Sequence, residues 1–152
     1  MLARTFLTSK QLGITDIQRD ALITTLGMLE RGELKHTQHK SMPGYPDVNL
    51  PLGKAGFTGH FNMAYWSYQV GCGTLMCLGG TSAIIAGDDE LWGCSTDSIS
   101  NKELRELFMP GWGYGRYDWD KVTTEQAAAG LSNYLTRGSA HWGEVLESIV
   151  YE

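Results

Sequence analysis

Basic residues are scarce in this chain: 12 Lys and Arg stand against 17 Asp and Glu, for a formal net charge of −5. Nucleic acid presents a dense array of phosphates that a binding protein neutralises with clustered cations. The few cations here are scattered, so nucleic-acid binding is disfavoured. Cysteine is sparse too, with only Cys72, Cys77 and Cys94. An odd count leaves one thiol over in an oxidised framework, which favours a reducing, cytoplasmic setting. No run approaches the roughly 18 apolar residues of a transmembrane helix, and the first residues hold no signal-like apolar stretch. No membrane partner is expected. There is no Walker-type phosphate loop, no G-x-S-x-G and no H-E-x-x-H, and no cofactor is implied. Charged residues make only 19% of the chain, which argues against a coiled coil or a charged tail.

Glycine and aromatic residues are abundant: 19 Gly, and 11% Phe, Trp and Tyr. The length fits one domain spanning 1–152. Thr15 to Gln18 forms a capping box, in which the Thr hydroxyl and the Gln side chain satisfy helix-end amides reciprocally. Ile17, Ala21, Leu22, Leu26 and Leu29 follow at helical spacing and Gly32 is a stop, so a helix is predicted over Asp16–Arg31. Ser100 to Glu103 and Thr123 to Gln126 read as further boxes. The first opens a helix carrying Leu104, Leu107 and Phe108 up to Pro110. The second opens one carrying Ala127, Ala128, Leu131, Tyr134 and Leu135 up to Gly138. Ser139 is the expected cap of a last helix carrying Trp142, Val145, Leu146 and Ile149, antiparallel to the one before it. The uncharged stretch Gly73–Gly87 has no polar face. It reads as a helix over 74–86 buried on all sides, with a strand ending in a turn at Gly79-Gly80 as the alternative. Pro43, Pro46 and Pro51 mark a long loop. Alternation at Phe57, Gly59, Phe61, Met63 and Tyr65 suggests a short strand or hairpin near 57–65, against a competing helix at 63–68. The predicted fold is mainly α, about five helices around the buried 74–86 helix, with α+β as the alternative.

Four groups of residues could carry chemistry. Cys72 would sit at the N-terminus of the 74–86 helix, where free amides and the helix dipole lower a thiol pKa. That makes Cys72 a candidate nucleophile with His60 or His141 as base, against the commoner role of a packed cysteine. His36 and His39, three apart, would share a helix face. With Asp47 or Cys72 they could hold a metal, but no diagnostic ligand spacing occurs and no metal site is assigned. Between Pro110 and Asp120 glycines alternate with aromatics. Trp112, Tyr114, Tyr117 and Trp119 could stack on a ligand, with Arg116 as a polar anchor. The competing role is a loop that closes over the core. Thr8–Thr15 followed by a helix with Gln18, Arg19, Thr24 and Thr25 has a helix-turn-helix outline, which the acidic charge disfavours.

The run Phe61-Asn62-Met63, Trp66 and Cys72-Gly73-Thr74-Leu75-Met76-Cys77-Leu78-Gly79-Gly80 resembles a group of short bacterial and phage-borne hypothetical proteins with an F-[DN]-M-x-x-W and C-G-T-x-x-C-x-x-G pattern. Similarity continues at Leu107–Pro110, Val122–Ala127 and Gly138–Trp142. The resemblance implies a shared scaffold around Cys72–Gly80 and no catalytic role. The reading that follows is a non-enzymatic binding or accessory module using residues 110–120, for a small molecule or a protein. The alternative is a cysteine-dependent enzyme built on Cys72.

Overall fold

The computed structural model describes residues 4–37, 59–63, 68–70, 73–88, 91–92, 101–108 and 121–146. Six helices lie among them: α1 Ser9–Leu12, α2 Asp16–Glu30, α3 Leu78–Ala86, α4 Lys102–Phe108, α5 Thr124–Arg137 and α6 Trp142–Val145. Four short strands, β1 Lys35–His36, β2 His60–Phe61, β3 Tyr68–Val70 and β4 Gly73–Met76, form one sheet in the order β1-β2-β4-β3. The fold is mainly α, with this small sheet joined to the helical core through Phe61.

Helix starts follow local chemistry. Thr8, Thr15 and Thr123 each accept from the amide three residues on, and Gln11, Gln18 and Gln126 reach back to the cap amide. Two otherwise orphaned donors are satisfied at each end. Gly13 and Gly138 terminate α1 and α5 with φ of +70° and +87°, a region that only glycine enters at low cost. At α4 the cap is Asn101 rather than Ser100. Asn101 Oδ1 accepts from the Leu104 amide while its Nδ2 donates to the Leu12 carbonyl. One side chain thereby fixes the start of α4 and ties it to the end of α1, which a serine hydroxyl is too short to do. The α6 cap is His141, not Ser139. His141 takes φ +51° and its carbonyl accepts from Glu144 and Val145.

The largest departure from the sequence reading is at 73–77. The buried helix is present, but it starts at Leu78, and residues 73–76 are strand. β4 pairs in parallel with β2 and antiparallel with β3. Two ladders satisfy backbone groups that a longer helix would otherwise have to satisfy alone. The later start also places Gly79 and Gly80 in the first turn, away from the helix interior where glycine is most costly. The strand expected near 57–65 is β2. The hairpin is β3–β4, later in the chain, and Tyr68 is in a strand rather than the competing helix.

One apolar cluster joins the helices and the sheet. α2 packs on α3 and α5, and α4 on α5 and α3. Leu22, Leu26, Phe61, Leu78, Leu107, Val122, Leu131 and Leu135 are sealed from solvent. Ile17, expected on the buried face of α2, is 66% exposed. It sits in the first helical turn, before the face formed by Ala21, Leu22, Leu26 and Leu29 meets the core. Ala128 and Val145 are only partly buried. Trp92 donates from Nε1 to Ser82 Oγ, which donates to the Gly79 carbonyl, and the Trp92 ring meets Phe108 edge-on at 4.8 Å. The polar indole edge is thereby satisfied inside the core.

Candidate functional site

The sheet brings a polar cluster together around Thr37, just past the end of β1. Register places Lys35 beside His60 and His36 beside Phe61. The Thr37 amide donates to the Phe61 carbonyl at 3.0 Å. Asn62, fully buried, donates from Nδ2 to the Thr37 carbonyl at 3.1 Å. The Thr37 hydroxyl lies 2.9 Å from His60 Nδ1 and 3.2 Å from the Lys35 carbonyl. Backbone and side chain of Thr37 are therefore all engaged, and they fix the His60 ring. Partial burial, and then the charge of Lys35, hold the His60 pKa below its ordinary 6.5. Both effects disfavour the imidazolium, so the ring is neutral near pH 7.

His60 was expected from the sequence as a base for Cys72. Its register partner on β4 is Leu75. Gly73, next to Cys72 in the chain, is two residues back, about 6.6 Å along the strand. The strand register thus does not set His60 beside the start of β4. Cys72 itself lies outside the described residues, as do Cys94, His39, Asp47 and the whole of Trp112, Tyr114, Arg116, Tyr117 and Trp119. The helix N-terminus proposed to activate Cys72 belongs instead to Cys77, which caps α3. Cys77 is 1% exposed. The amides of Gly80 and Gly79 favour its thiolate, without a formal capping hydrogen bond. Burial outweighs them and raises the thiol pKa from 9.0 to about 11. A low-dielectric surround opposes the charge that the helix end would stabilise. Cys77 is therefore a protonated core residue at neutral pH.

His141 lies at the other candidate position, capping α6. Its Nδ1 is 4.0 Å from the Glu144 carboxylate, which is itself paired with Arg137 at 3.0 Å. The Arg137 hydrogen bond and charge hold the Glu144 pKa below the usual carboxylate value. His36 is in strand β1 rather than on a helix, and His39 lies outside the described residues. Among the described residues no group of three His, Cys, Asp or Glu side chains could hold a metal ion.

The short helix, glycine turn and second helix read from the sequence are present as α1, Gly13 and α2, but most of the side chains that would read bases are turned inward. Gln18 Nε2 donates to the Leu91 carbonyl at 2.8 Å, and Arg19 Nε to the Leu7 carbonyl at 2.7 Å. Thr25 is buried and donates to the Ala21 carbonyl. Three of the four side chains that would read bases make internal contacts. No helix among the described residues is long and apolar enough to cross a membrane.

Sequence reading missed Thr37 and Asn62. Asn62 stood inside the quoted F-N-M run, but nothing local marked it as a buried clamp. Thr37 stood in a polar tract whose pairing to β2 is not local. Among the described residues, the buried hydroxyls Thr81 Oγ1 and Tyr134 Oη have no hydrogen-bond partner. Burial and the nearby Glu103 charge push the Tyr134 pKa upward, so that hydroxyl stays protonated. No protein-family profile, curated protein or solved structure matches this chain.

Proposed function

We propose that the chain is a non-enzymatic binding module whose ligand-facing segment is 110–120. In this reading Trp112, Tyr114, Tyr117 and Trp119 supply stacking faces, Arg116 supplies a polar anchor, and a small molecule or a protein is the partner. The observation that carries the reading is how the segment is held. It joins two helices packed on each other, α4 and α5. The residues flanking it, Phe108 and Val122, are 2% and 0% exposed. Thr123 then fixes the start of α5 through its capping box. A glycine-spaced aromatic stretch carried on a rigid frame is a common way to build a recognition loop. The cysteine-enzyme alternative asks for a helix N-terminus at Thr74, where β4 stands.

Replacing Trp112 and Trp119 together with alanine tests the reading. Compounds that raise the melting temperature of the native protein, as any native-state binder does, are expected to leave the double variant unshifted while its unliganded fold persists. Binders that stabilise both proteins equally would remove the segment from the binding surface.

A further inference from the structure

We propose that His60 Nε2 is a proton-acceptor site on the sheet for an uncharged O–H or N–H group of a small-molecule ligand, and that Thr37 is the residue that positions it. The argument is one of proton counting. The Thr37 hydroxyl has a single proton and two neighbours, the Lys35 carbonyl at 3.2 Å and His60 Nδ1 at 2.9 Å. A carbonyl oxygen only accepts, whereas an imidazole nitrogen donates or accepts according to tautomer. If the hydroxyl donated to Nδ1, two oxygens would face each other at 3.2 Å with no proton between them. With Nδ1–H donating to Oγ1, and Oγ1–H donating to the Lys35 carbonyl, every contact holds a proton. The ring is then the Nδ1–H tautomer, and the lone pair is on Nε2.

The hydrogen bond on one imidazole nitrogen determines what the other can do, and an oriented ring with one nitrogen tied off is the arrangement that ligand-binding and proton-accepting histidines share. Thr37 is itself held from two further sides, by the Phe61 carbonyl and by Asn62 Nδ2. No partner for Nε2 is found among the described residues. His60 is only partly buried, which leaves part of the residue open to solvent. Partial burial, and then the positive charge of Lys35, favour the neutral ring, and that charge also disfavours a cationic donor. None of this depends on residues 110–120, so it stands or falls separately from the function proposed for that segment.

Nitrogen-15 NMR of the histidine side chains reads the tautomer directly, and phenol serves as the probe donor with anisole, which has no O–H, as the control. In the native protein at neutral pH, His60 is expected to carry its proton on Nδ1. Phenol is expected to shift the Nε2 resonance saturably and anisole to leave it unmoved. Thr37→Val is expected to lose both the tautomer bias and the phenol response, and Thr37→Ser to keep them. A proton on Nε2 in the native protein would overturn the proposal without any variant having to fold. So would an equal response to phenol and anisole, or a Thr37→Val protein that behaves like the native one.

Discussion

Gly130 on α5 is the floor on which the Trp142 indole rests: a methyl group at Gly130 would lie 2.5 Å from Trp142 Cη2. The indole cannot slide away easily, because its Nε1 donates to the Glu106 carbonyl at 2.9 Å. A single glycine thus sets the approach of α6 to α5, while the tryptophan ties both to α4.

Gly130→Ala is therefore expected to destabilise the fold, although alanine is favoured over glycine in a helix by about 1 kcal/mol. Overpacking a closed core typically costs about 1–3 kcal/mol, and the fixed ring leaves little room to relax. Denaturant midpoints of the two proteins check this. A variant as stable as the native protein would show that the Trp142 ring can move.

Cys77 is expected to resist thiol reagents at pH 8 in the folded protein and to react once denaturant opens the core. Its raised pKa also has a sign for stability. The folded state holds the thiol proton more tightly than the unfolded chain, so the contribution is complete below pH 9.0 and is lost as pH rises through about 11. Comparing alkaline unfolding of the native protein with Cys77→Ala, and following labelling of Cys77 by mass spectrometry, tests both points.

The His60 shift runs the other way. Its folded pKa lies below 6.5, through burial and then Lys35. The folded state resists the proton that the unfolded chain accepts, so stability is full above pH 6.5 and falls as pH drops toward the depressed folded value. His60→Gln is expected to flatten that part of the stability curve. An unchanged acid limb in the variant would assign the pH dependence to other groups.

How much of this was legible in the sequence depends on how local the deciding interaction is. Thr15 with Gln18 and Thr123 with Gln126 are read correctly because a capping box is closed within four residues. The buried α3 is recognised by its want of a polar face, but its first residue is not. Strand pairing of Gly73–Met76 with both β2 and β3 decides that boundary, and no pattern inside 73–87 records it. The error carried into the site, since the helix end assigned to Cys72 belongs to Cys77. The strand near 57–65 was legible from its alternation, but a strand of two residues such as Lys35–His36 has no period to detect. The Thr37–His60–Asn62 cluster exists only through their pairing and was invisible for that reason. His141 replaces Ser139 as the α6 cap where Trp142 docks on Gly130, again a distant contact.

The central claim, that residues 110–120 present aromatic faces to a ligand, is tested most directly by oxidative footprinting of the folded, unliganded protein read by mass spectrometry. Trp92 and Trp142 are 6% and 1% exposed and serve as internal standards of protection. Trp112 and Trp119 are expected to oxidise readily while those two stay protected. Protection of Trp112, Tyr114 and Trp119 to the level of Trp92 and Trp142 would contradict the account and make the segment a lid on the core.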